Sequence, residues 1–128
     1  MTNITIDVSE AVRKLDPKDM VQAITEAIDK SADLLREDMR VYPPPVPNST
    51  YIRTGKLKAG WAKRMGATGG LPSAIIGNYG VTYAPYVQDY DRQAAIHRNR
   101  WQTTQMIAYK RKHDIKLLIE AVLARWAR

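Results

Sequence analysis

Residues 16–39, DPKDMVQAITEAIDKSADLLREDM, decide the fold. Asp16 suits an N-cap, because its carboxylate can accept from the unpaired amides of a first helical turn. Pro17 follows at the first helical position, where a missing N–H costs nothing, and Asp19 places negative charge near the positive end of the helix dipole. Met20, Ile24, Ile28, Leu35 and Met39 then recur at helical spacing, with Ala27, Ser31 and Ala32 filling the stripe. Lys18, Glu26, Lys30, Asp33 and Arg36 take the opposite face. The pattern predicts one long amphipathic helix over about 16–41. It must stop before Pro43, because Pro43, Pro44, Pro45 and Pro47 cannot continue it.

Upstream, Asn3 to Val8 alternates Ile4, Ile6 and Val8 with Thr5 and Asp7, the period of a short strand. Ser9 then suits the cap of a short helical turn through Val12 and Leu15. Downstream, residues 42–54 form a proline-stiffened connector, read as a rigid spacer in preference to a polyproline ligand. Leu57, Ala59, Trp61 and Met65 alternate with Lys56, Lys58 and Arg64, which predicts a strand with a basic wet face. Gly66, Gly69, Gly70 and Pro72 supply a long turn, and Ser73 to Tyr79 returns around Ile75 and Ile76, making a β-hairpin over about 55–80. Val81 to Tyr90 reads as a further short strand. Residues 91–113 resist assignment, and Asp114 caps a last helix over about 114–127 with Ile115, Leu118, Ile119, Val122, Leu123 and Trp126 as its stripe.

A chain of 128 residues fits a single domain, 1–128, that can bury a core without staples. With no cysteine, disulfides, thiolate metal sites and cysteine nucleophiles are excluded. No apolar run approaches the ~18 residues that span a bilayer, and the first residues lack the pattern of a secretory leader. The net charge of +7 is split: residues 1–40 carry −3 and residues 41–128 carry +10. Such a division points to two surfaces with different partners, or to solvated charge of no special purpose.

The residues able to do chemistry do not assemble into a site. His97 and His113 sit in basic stretches that disfavour a metal cation, and they read as surface or packing histidines. Glu26, Asp29, Asp33 and Glu37 share a helix with lysines, so ion pairing explains them better than acid–base work. Ser49 and Thr50 lack any nucleophile motif, and the glycine-rich turn lacks the Lys-Ser/Thr of a phosphate loop. No catalytic residue, cofactor or metal is assigned, and the chain is not expected to be an enzyme. Tyr83, Tyr86, Tyr90, Trp101 and Tyr109 interleave with Arg92, Arg98 and Arg100, a pattern that suits either single-stranded nucleic acid or a protein interface.

The order of features carries a resemblance. Arg53-Thr54-Gly55-Lys56-Leu57 opens the hairpin, and Tyr83-Ala84-Pro85-Tyr86-Val87 follows it. In these two motifs and in its layout, the chain resembles the minor tail-component or tail-completion family of long-tailed phages. It departs after Val87, where members commonly continue with an acid, an aromatic and a Gly-Thr turn. The resemblance implies an α+β fold, a small antiparallel sheet with the long N-terminal helix and the C-terminal helix packed on one face. Thr54 and Gly55 are then geometric residues, Gly55 allowing a tight lead-in to the strand. The implied role is a structural virion protein at the neck or tail, completing the tail or joining it to the head within a ring. It implies connector, adaptor, tail-terminator or tube proteins as partners, no membrane, and assembly in the host cytoplasm. Lys56, Lys58, Arg64, Arg92, Arg98 and Arg100 are candidates to face a neighbour or passing DNA. The alternative is a nucleic-acid-binding protein using residues 83–112.

Overall fold

The computed structural model describes residues 6–45, 47 and 53–127. Their elements, in chain order, are α1 (Ser9–Arg13), α2 (Met20–Met39), α3 (Lys56–Gly60), β1 (Trp61–Thr68), β2 (Leu71–Asn78), α4 (Ala84–Gln88), a 3₁₀ turn (Ala95–His97) and α5 (Thr104–Trp126). The fold is α+β, with α2 packed on an antiparallel hairpin on one side and on α5 on another. α5 thus meets the sheet chiefly through α2, with Ile107 reaching Trp61 and Met39.

The Asp16 side chain does accept from a backbone amide, that of Lys18 at 3.2 Å. It closes a tight turn, however, and α-helical pairing begins only where Ala23 N–H donates to Asp19 O at 2.9 Å. The helix therefore starts at Met20 and ends at Met39, short of the predicted limits at both ends. Apart from Met39 at its end, its buried residues are small: Ala23, Ala27, Ser31 and Ala32. Without bulk on that face, α5 can approach closely, and Ile115, Ile119, Val122 and Leu123 pack there with Leu15.

Several expected boundaries move. Residues 3–5 of the predicted first strand lie outside the described residues, and Ile6–Val8 form no strand. Ser9 is the first residue of α1, not its cap; its N–H donates to Asp7 Oδ1 at 3.0 Å. Of the connector, residues 46 and 48–52 lie outside the described residues, and 42–45 are irregular. Lys56–Gly60 is a helical turn, so Lys56 and Lys58 do not belong to a strand face. Gly55 precedes it with φ +82°, in the left-handed region open to glycine, and so leads into α3 instead of a strand.

The hairpin turn is shorter than expected. Gly69 and Gly70, with φ of +59° and +81°, make a two-residue turn with positive φ at both positions, the geometry that matches strand twist. Gly66 and Pro72 are paired within the strands, opposite Ser73 and Ala67. Pro72 is tolerated because a two-stranded sheet leaves each strand an unpaired edge.

Tyr83–Val87 is not strand-like. Pro85 falls in the first turn of α4, where its absent N–H breaks no helical bond. The last helix starts ten residues before the predicted Asp114 cap, at Thr104. Thr103 is its true cap, accepting from Met106 N–H at 3.2 Å, while Asp114 lies inside the helix and pairs with Arg111. No helix among the described residues is long and apolar enough to cross a membrane.

Candidate functional site: a cationic aromatic cleft

The two motif segments, 53–57 and 83–87, meet in space. Leu57 of α3, Ala84 and Val87 of α4, and Trp101 form a small buried cluster, with Tyr42 and Val81 packed against it. α3 is held to the hairpin by Asn78 Nδ2, which donates to Leu57 O at 2.7 Å, and by Tyr79 N–H, which donates to Gly60 O at 2.9 Å. Close contact is built in here, since a Cβ on Gly60 would fall 2.2 Å from Asn78 Oδ1 and 2.7 Å from Gly80 N.

Above this cluster lies a cleft of about 540 Å³. Its walls include Arg53, Thr54, Gly55, Leu57, Lys58, Tyr83 and Val87 from the motif region, joined by Arg40, Tyr42, His97 and Trp101. The guanidinium of Arg53 stands 5.0 Å from the centre of the Trp101 ring. Tyr42 packs on Trp101 with ring centres 4.7 Å apart, and His97 meets it edge-on at 6.1 Å. Burial pushes the Tyr42 phenol up to about 12. Burial, with Arg100 nearby, holds the His97 imidazole below its ordinary value.

Two buried glutamines position the cleft wall. Gln88 accepts from Trp61 Nε1–H at 3.0 Å and donates to Met39 O and Gln102 O, both at 3.3 Å. Gln93 donates toward Val87 O at 2.7 Å and toward His97 O and Trp101 O at 3.2 Å. These contacts satisfy the carbonyls of an irregular stretch that no ladder serves. Arg100 donates to Pro44 O at 2.8 Å, tying the proline connector to the same region.

The other singled-out residues scatter. Ala84 is buried and Tyr86 is exposed, while Pro85 O accepts from Asp89 N–H at 3.1 Å. Lys56 is exposed beside the cleft. Arg64 points off the outer hairpin face onto Tyr79, 3.5 Å from its ring centre. Arg92 lies 4.0 Å from Asp89, and Arg98 is exposed. Trp101 is buried and so leaves the expected row of exposed aromatics, whereas Tyr83, Tyr86, Tyr90 and Tyr109 are exposed. Among the described residues no group of His, Cys, Asp or Glu could hold a metal ion. Arg40, Tyr42 and His97 were not legible as cleft residues; the only local hint was a tyrosine abutting the proline run.

Part of the division of charge is met within the chain. Lys63 of β1 reaches Asp29 at 2.5 Å and Asp33 at 2.6 Å. Arg111 of α5 pairs with Asp38, and Arg125 pairs with Glu26. The acidic helix thus finds its basic counterparts on the hairpin and α5. The chain matches no protein-family model, and neither curated proteins nor solved structures give a significant match.

Proposed function

We propose that the chain is a structural virion protein of a long-tailed phage, completing the tail or joining it to the head as part of a ring. The observation that carries this reading is the convergence of Arg53–Leu57 and Tyr83–Val87 on one cleft. Segments that share a resemblance and also share a wall act as one structural unit. Its partners in this reading are the connector or adaptor and the tail terminator or tube, and it performs no catalysis.

Ring closure needs heterologous contacts, each copy offering two different patches. Acid-to-base attraction between copies is a poor source of them, because the acids of α2 are already paired internally. Exposed apolar and aromatic surface is a better one: Tyr86, Tyr90 and Ile96 at one end, Leu71 and Ile75 on the hairpin.

A second reading, nucleic-acid binding through 83–112, draws on exposed Tyr83, Tyr86 and Tyr90 near Arg92 and Arg98. Light scattering on the purified chain, at low and physiological salt with and without DNA, separates the two. A discrete ring, or a monomer indifferent to DNA, supports the structural reading. Salt-sensitive DNA binding by a monomer overturns it.

A further inference from the structure

We infer that the cleft beneath Arg53 is a docking pocket for an acidic segment of a partner protein, which seats a carboxylate among Arg40, Arg53 and Lys58. The inference concerns binding chemistry alone and stands apart from the virion reading.

Charge is the first argument. Arg40, Arg53 and Lys58 line the cleft and no acid does. Arg40 already pairs with Glu37 through Nη1 at 3.2 Å, which leaves Arg53 and Lys58 as the cleft cations without an ion pair among the described residues. Arg53 is half-buried against Trp101, with no carboxylate in ion-pair reach among the described residues. The neighbouring stretch 46–52, VPNSTYI, contains no acid that could supply one. A partly desolvated guanidinium gains most from a carboxylate, whose two oxygens match its fork.

Unmet hydrogen bonding is the second. Arg40 Nε, Tyr42 OH and His97 Nδ1 are buried side-chain atoms without a hydrogen-bond partner among the described residues. All three belong to residues of this one cleft. Orphaned buried polar groups are costly and rare, and two of these, the Arg40 N–H and the Tyr42 O–H, are donors awaiting an acceptor.

Shape selects among anions. A volume of about 540 Å³ holds a few side chains. A nucleic-acid base would need an open aromatic face, and Trp101 is buried and already packed by Arg53 and Tyr42. That leaves exposed Tyr83 as the wall aromatic a base could reach, and oligothymidylate is therefore a comparator in the test. In a second copy of this chain the α2 acids Glu26, Asp29, Asp33, Glu37 and Asp38 are engaged in ion pairs. Glu10, Asp19, Asp91 and Glu120 form none among the described residues, so self-association through the cleft is the competing occupancy. An Arg53-dependent dimer in the absence of peptide would overturn the inference.

The test titrates the full chain with a short capped peptide alternating glutamate and leucine, read by calorimetry and tryptophan fluorescence at low and high salt. A lysine–leucine peptide and oligothymidylate serve as comparators. The glutamate peptide alone should bind, more weakly in high salt, with Arg53→Gln and Lys58→Glu each weakening it roughly tenfold or more. Arg98→Gln, outside the cleft, should leave binding unchanged, and thermal melts check that each variant folds. Absence of glutamate-peptide binding overturns the inference, as does equal loss in Arg98→Gln. Arg53-dependent binding of oligothymidylate in its place would reassign the cleft to nucleic acid.

Discussion

The indole N–H of Trp61 donates to the side-chain oxygen of Gln88 at 3.0 Å, joining the start of β1 to the end of α4. Gln88 is only 2% exposed, and its amide nitrogen also serves the carbonyl at the end of α2. One polar side chain thus links three elements at the point where the cleft wall meets the core. Gln88→Leu keeps the volume but strands the Trp61 donor and the Met39 carbonyl. Denaturant unfolding should show a loss of about 2–3 kcal/mol. Gln88→Glu, which keeps an acceptor for Trp61 but buries a carboxyl against the Met39 and Gln102 carbonyls, should lose at least as much at neutral pH.

The approach of Gly60 to Gly80 makes a second prediction. A Cβ on Gly80 would lie 2.7 Å from Gly60 Cα, a contact with backbone that cannot swing away. Gly60→Ala and Gly80→Ala should each destabilise by about 1–3 kcal/mol, the usual cost of overpacking. Gly66→Ala, which meets nothing within 4 Å, should be neutral or slightly stabilising in the same unfolding assay.

His97 should make stability depend on pH. Burial, then Arg100, depresses its folded pKa below the ordinary 6.5. Between the two values the unfolded chain binds more protons, so this contribution is complete above 6.5 and is lost as pH falls through the folded value. Thermal melts should show His97→Asn losing less stability than the parent on acidification from neutral pH through that window. An identical pH slope in both proteins would remove His97 as its source.

The pairing of the two charge blocks is testable through Arg111 and Asp38, whose contacts are 2.5 and 3.2 Å. Asp38→Asn and Arg111→Gln should each lower the melting temperature, and together by less than the sum. Additive effects would mean that the two groups do not act as a pair.

Much of this architecture was legible from local signals. The stripe from Met20 to Met39 and the prolines after it marked the long helix, and Gly69-Gly70 marked the hairpin. The errors share a cause, since local pattern was overruled by tertiary contacts or by a cap. Leu57, Ala59 and Trp61 alternate like a strand, yet Leu57 folds back onto Trp101 in a helical turn. Tyr83 to Val87 is rich in strand formers, but Pro85 fits a first helical turn. The front of α5 was hidden because Lys110, Arg111 and Lys112 crowd its stripe and Thr103 is an inconspicuous cap. The cleft draws on residues from Arg40 to Trp101, a gathering that periodicity cannot reveal.

The proposed virion role is tested most directly on phage particles themselves. Purified particles from the genome carrying this gene should contain the chain, and immunogold label should fall at the neck or tail. Deleting the gene should leave filled heads and tails unjoined or tails incomplete. Particles that lack the chain, or that assemble and infect normally without it, would contradict the account.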